Sequence, residues 1–107
     1  MTKLARFLFG VEDALTITTR TKKGQSWYMA ADICRLVGIA NHSTAVHGER
    51  TDGYQLGKDE WLKATEYTGT SKRQILMVNN SGMLKLIMQG TTDRAREIQA
   101  SARQQLG

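Results

Sequence analysis

The sequence predicts an α+β fold: small antiparallel β-hairpins and a meander, packed with three to four short helices, with a helix-turn-helix-like segment at 30–47. Three observations carry this. Period-two alternation recurs through residues 7–29, and two further strand-like runs follow residue 62, the second with a continuous apolar stretch. The spacing i, i+3, i+4, i+7 takes over at Ala30, Ile33, Cys34 and Val37. Apolar or helical-period runs then end at glycines, Gly38 and Gly90, as helices do.

In chain order, Phe7, Phe9 and Val11 alternate with Leu8 and Gly10 and read as a short strand. Leu15 and Ile17 alternate with Thr16 and Thr18 as a second strand. "RTKKGQ" turns the chain, with Gly24 free to take positive φ. "SWYMA" is the third strand, on which Trp27 and Tyr28 point to opposite faces: one into the core, the other partly exposed and able to stack on a base. A two-turn helix follows to Gly38, and Asn41 or Ser43 caps a second helix ending near His47.

"GERTDGYQLGKDEW" has three glycines and no period, which reads as a long loop. "KATEYTG" and "RQILMVN" form a second hairpin, and the apolar run Ile75–Val78 is that of a strand covered on both faces. "NNSGMLKLIMQG" is a core helix capped by Asn80 or Ser81. The last helix, capped by Thr91 or Thr92, runs from Asp93 toward Leu106. Its thin stripe is Ala95, Ile98, Ala102 and Leu106, with Arg96, Gln99 and Arg103 on a neighbouring face.

At 107 residues the chain is of single-domain length, read as one domain over 1–107, and buries roughly 65% of its unfolded surface. No apolar run approaches the roughly 18 residues that span a bilayer. Glu12 and Asp13 break the short apolar patch after Lys3 and Arg6, which argues against a signal peptide. One cysteine cannot form an internal disulfide. A cytoplasmic chain is the expectation.

The formal net charge of +5 is unevenly spread. Residues 1–26 carry five basic and two acidic side chains, residues 27–69 four and six, and residues 70–107 six and two. Basic ends around an acidic middle suggest a basic face, for which nucleic acid is the commonest partner. Arg20, Lys22 and Lys23 at the first hairpin tip, and Arg96 and Arg103 on the last helix, are candidate phosphate contacts. Asn41, His42, Ser43, Thr44 and His47, in and beside the short second helix, are types that touch base edges and backbone.

Asp32, Cys34, His42 and His47 crowd into one stretch, but they are not expected to form a metal or catalytic site. At 100° per residue Cys34 faces inward with Ile33 and Val37, while Asp32 lies across the helix beside Arg35, facing outward. Their spacings also miss the tight pairs of zinc sites. The loop acids Glu49, Asp52, Asp59 and Glu60 have nothing evident to hold them in pair geometry. No phosphate loop, GxSxG or HExxH is present, so no catalytic residue, cofactor or metal is expected.

"WYMAADICRLVGIANHSTAV" resembles the opening signature of the BRO family N-terminal domain, the module that begins many phage antirepressors and baculovirus repeated-ORF proteins. Trp27, Asp32, Ile33, Gly38, Asn41, Ala45 and Val46 carry that likeness. A second signature falls in "MVNNSGMLKLIM", through Val78, Asn79, Ser81, Gly82, Leu86 and Ile87, and "TTDRAREIQ" resembles the closing helix. Asn80, Leu84 and Ile98 depart from the family's usual Glu, Tyr and aromatic residues.

The resemblance implies a non-enzymatic regulator in a phage or prophage setting, acting in the bacterial host cytoplasm. Its partner would be duplex DNA, a repressor protein or both, with a homodimer among the possible states. Two functions stand side by side: a DNA-binding regulatory module, and an antirepressor that inactivates a repressor by direct contact. The acidic loop between Glu49 and Glu60 supports the second, since it would repel DNA but could meet a basic surface.

Overall fold

The structure is a computed structural model that describes residues 1–106; the Leu106 side chain and Gly107, one assigned to the last helical stripe, lie outside what it describes. The order is α1 (Lys3–Phe9), α2 (Val11–Ala14), β1 (Thr19–Lys22), β2 (Gln25–Met29), α3 (Ala30–Leu36), α4 (His42–His47), β3 (Trp61–Thr68), β4 (Ser71–Val78), α5 (Asn80–Gln89) and α6 (Asp93–Leu106). The α+β class holds. Each helix expected after residue 30 is present, and two more precede the sheet.

The segment read as a first strand is instead α1 and α2. Its apolar residues fit two periods at once. Phe7, Phe9 and Val11 alternate, but Ala5, Leu8 and Phe9 form a helical face, and those three are the ones buried. Thr2 decides the local geometry, since its hydroxyl accepts from the Ala5 N–H and caps the helix. Leu15 and Ile17 form no strand either; they lie in the turn leading to β1, which starts at Thr19. The expected three-strand meander is therefore the β1–β2 hairpin alone. Its turn, Lys23 and Gly24, has positive φ at both residues (53° and 77°), the geometry that suits a two-residue hairpin.

The four strands form one antiparallel sheet in the order β1-β2-β4-β3. Each hairpin pairs fully, but the two meet through only Tyr28 opposite Val78 and Met29 opposite Met77. Beyond Met77, therefore, β4 has β3 as its only neighbour in the sheet, and the β3–β4 hairpin projects as a two-stranded arm. Alternation sends Leu76, Val78 and Trp61 toward the helices, and Ile75, Met77, Leu62 and Ala64 to the other side. This is the two-sided burial expected for Ile75–Val78. Trp27 and Tyr28 are both buried, at 9% and 0% exposure, so neither is a free stacking platform. Trp27 packs with Ile75 and Met77 in a second small core, and the Tyr28 hydroxyl bonds Thr2 and Asn80.

α5 is the core helix. Met83, Leu86 and Ile87 are fully buried, each contributing about 1.5–3 kcal/mol. Its cap is Asn79, one residue before the expected Asn80 or Ser81: the Asn79 side chain accepts from Gly82 N–H and donates to the Asp59 carbonyl. On α6 the cap is Thr92, one of the two expected. Ala95, Ile98 and Ala102 are buried as expected. Gln99 is not a surface residue. It is buried, and its amide donates to the Ile87 and Gly90 carbonyls at the end of α5.

Asp32 does not face outward. It is buried, accepts from the Thr18 N–H at 2.8 Å and pairs with Arg35 at 3.0 Å. Helix phase did place it away from Cys34, but the chain entering β1 covers that side. Glu60 is also held, against the sequence expectation. It is buried between the Gly57 N–H, the Lys85 ammonium and the Ser81 hydroxyl, and so fastens the end of the loop to α5.

Candidate nucleic-acid interface

α4 presents one polar side and buries the other. Asn41 caps it, its side-chain oxygen accepting from the Thr44 N–H at 3.0 Å. Ala45 and Val46 enter the core, and Gln89 donates to the Ala45 carbonyl. That leaves Ser43, Thr44 and His47 exposed and His42 half-buried. The α3–α4 pair is the helix-turn-helix-like unit, with Gly38 at φ 76° in its turn.

The β3–β4 arm lies beside α4. Because side chains alternate, Lys63, Thr65 and Tyr67 of β3 share the α4 side with Lys72 and Gln74 of β4. Glu66 and Arg73 lie on the opposite side, where they pair at 2.6 Å. The register thus separates charge. The arm's only carboxylate is neutralised on the far face, and the α4 side keeps two lysines that no carboxylate among the described residues reaches within ion-pair distance. Tyr67, 74% exposed, is the cross-strand partner of Lys72 near the arm's tip.

Two grooves connect the helix to the arm. One, of about 360 Å³, is bordered by Ser43 and His47 on α4 and by Lys63 and Gln74 on the arm. The other, of about 260 Å³, runs from His42 and Ser43 to Arg73 and Gln74 over the free edge of β4. His47 also meets Trp61, the first residue of β3, ring edge to ring face.

The ten candidate residues fall in three places. Asn41, His42, Ser43, Thr44 and His47 are together on α4. Arg20 and Lys22 lie across the sheet, bordering a cavity of about 320 Å³ lined also by Trp27, Met77 and, from the β3 edge, Lys63. Arg20 donates to the Thr65 carbonyl there, and Lys23 sits at the hairpin turn. Arg96 and Arg103 are exposed on α6, which packs on α1 and α5, and neither borders the α4 grooves. Lys63, Lys72, Arg73 and Gln74 escaped selection. Their signal was available in the alternation of "KATEYTGTSKRQ", but which side meets α4 is a matter of long-range pairing.

The chemistry is that of a surface. Cys34 is 1% exposed, and burial pushes its thiol up to about 12, far from a reactive thiolate. No group of three His, Cys, Asp or Glu residues among those described is arranged to hold a metal ion.

The family model of the BRO family N-terminal domain matches residues 16–106. The chain belongs to that family. BRO N-terminal domains are associated with DNA-binding modules of phage and viral antirepressor-like proteins. No curated protein and no solved structure matched the chain. Both segments that carried the resemblance lie within the matched region of this BRO domain, one in β2 through α4 and the other in β4 through α5. Among its described residues no helix is long and apolar enough to cross a membrane.

Proposed function

We propose that this BRO domain is a non-enzymatic, DNA-binding regulatory module of a phage or prophage antirepressor-like protein, acting in the host cytoplasm. Duplex DNA docks against α4 and the α4-facing side of the β3–β4 arm. The observation that carries the reading is the charge segregation on the arm: Lys63 borders the groove it shares with Ser43 and His47, Lys72 lies farther out on the same side of the arm, and neither pairs with a carboxylate among the described residues. A two-stranded β-ribbon has the width to enter a major groove, and the side chains of α4 are of base-contacting types. Arg20, Lys22 and Lys23 on the sheet's other side, and Arg96 and Arg103 on α6, supply further phosphate contacts only where the duplex extends to them.

A repressor protein bound in place of DNA is the alternative. Its support was the acidic loop, and that support is reduced here. Asp52 is paired with Arg50, and Glu60 with Lys85, so two of the four loop carboxylates are already neutralised within the chain.

The test is a fluorescence-anisotropy titration of random-sequence duplex at several salt concentrations. Binding should weaken with salt, and Lys63→Ala and Lys72→Ala should each reduce the slope of log K against log salt by about 1. Glu66→Gln should leave affinity equal or higher. An affinity indifferent to salt, or slopes that neither lysine alters, would falsify this docking mode.

A further inference from the structure

The β3–β4 arm bends back over the β1–β2 hairpin. Through the pairs Arg20–Trp27, Tyr28–Val78 and Val78–Trp61, Arg20 is level with residue 60 in the sheet. In a flat sheet Thr65 would lie five residues farther along the strands, about 17 Å away and beyond an arginine's reach. Arg20 nevertheless donates to the Thr65 carbonyl at 3.1 Å. The bend accounts for the small core of Trp27, Ile75 and Met77, which is made of strand residues alone. It also leaves a trough of about 320 Å³ between the two hairpins.

The trough has two unlike sides. Arg20 and Lys22, two residues apart on β1 and so on one face, supply a cationic side. Leu62 and Ala64 of β3, with Trp27 and Met77, supply an apolar side. No carboxylate lines the trough, and neither cation joins an ion pair among the described residues. The bond to Thr65 holds the Arg20 guanidinium in place while using one of its five N–H donors. A bare anion would leave the apolar side uncovered, and a neutral apolar molecule would leave both cations unmet. The volume falls at the lower end of the range for small-molecule sites.

We propose that the trough binds a small amphiphilic anion, a molecule with one phosphate or carboxylate group on a compact apolar body. The anionic group accepts from the remaining Arg20 N–H groups and from the Lys22 ammonium, and the body covers Leu62 and Ala64. The site is separate from the α4 surface, which contributes no residue to it.

Phenyl phosphate is the probe and Trp27 the reporter. Trp61→Phe removes the other of the chain's two tryptophans. On that background phenyl phosphate should change tryptophan emission saturably, with a Kd on the order of 0.1–1 mM for so small a ligand. Inorganic phosphate and phenol, each lacking one half of the probe, should bind at least about tenfold more weakly. Arg20→Gln and Lys22→Gln should each weaken phenyl phosphate about tenfold, the loss of one charge-assisted hydrogen bond. Circular dichroism should not change, because both side chains are exposed. Lys23→Gln, at the turn and outside the trough, should leave binding within about twofold of wild type. Phenyl phosphate that binds no better than inorganic phosphate overturns the proposal. So does undiminished binding in Arg20→Gln and Lys22→Gln, or an equal loss in Lys23→Gln. Displacement of phenyl phosphate by a short random duplex at matched ionic strength also overturns it, since the trough would then be part of the DNA surface.

Discussion

His47 on α4 stands edge-on to Trp61 on β3, with ring centroids 4.5 Å apart and planes at 87°. A helix of six residues has too little intrinsic stability to hold its own position, so packing must hold it. Trp61→Ala should cost about 2 kcal/mol in urea denaturation, less than a fully buried aromatic because Trp61 is half-buried. Trp61→Phe keeps the aromatic contact and should cost under about 1 kcal/mol. In the duplex titration Trp61→Ala should lower affinity without altering the salt slope, whereas Lys63→Ala alters the slope. A Trp61→Ala chain that binds as well as the wild type would mean that the position of α4 does not matter for binding.

Gly38 and Gly24 have nearly the same left-handed φ, 76° and 77°, but different surroundings. A Cβ at Gly38 would stand 2.3 Å from Thr92 Cγ2, while one at Gly24 meets nothing within 4 Å. Gly24→Ala should cost about 1 kcal/mol, the conformational part alone. Gly38→Ala adds overpacking against the α6 cap and should cost roughly 2–4 kcal/mol. Thr92→Ser removes the clashing methyl and keeps the capping hydroxyl, so on the Gly38→Ala background it should recover part of the loss. Equal costs at the two glycines would contradict the close approach.

Burial works against the charged form of Glu60, but the Gly57 N–H, Lys85 and Ser81 together outweigh it and hold its carboxyl below the usual glutamate value. A carboxyl depressed in the folded state contributes stability above its unfolded value, near pH 4.3, and loses it as pH falls through the folded value. Glu60→Gln should therefore destabilise at pH 7 by about 2 kcal/mol, less than for a fully buried pair because Lys85 is partly solvated. The difference from wild type should shrink as pH falls below about 4. A gap that stays constant from pH 7 to pH 3 in urea melts would show that the charge of Glu60 is irrelevant.

Cys34 should react with a thiol reagent at pH 8 only as the protein unfolds, since the folded thiol is both buried and held near 12. The rate of colour release from a disulfide reagent should climb with urea in step with the circular-dichroism transition. Fast labelling of the native protein would place the thiol at the surface.

Much of this architecture was readable because its signals are local. The helix of residues 30–36 has its apolar period, α4 its Asn41 cap, the arm its alternating strands and α6 its Thr92 cap. The first fifteen residues misled because a dense apolar segment satisfies two periods, and only the core, by taking Ala5, Leu8 and Phe9, selects between them. Asp32 and Gln99 misled for a related reason. A helical wheel shows which side faces away from the core, but not that Thr18 or the end of α5 will cover that side.

Residue order is thus sufficient for the class of fold, the caps, most element positions and the family signatures, since each depends on residues a few positions apart. The composition of the candidate surface follows different rules. Alternation along β3 and β4 creates two equivalent faces and does not say which one meets α4. The two residue pairs joining β2 to β4, between positions some fifty apart in the chain, settle that choice. They put Lys63 beside His47 with Lys72 farther out on the same side of the arm, send Glu66 and Arg73 to the back, and leave Arg20 and Lys22 across the sheet. Local chemistry supplied the cations, and the long-range pairing grouped them.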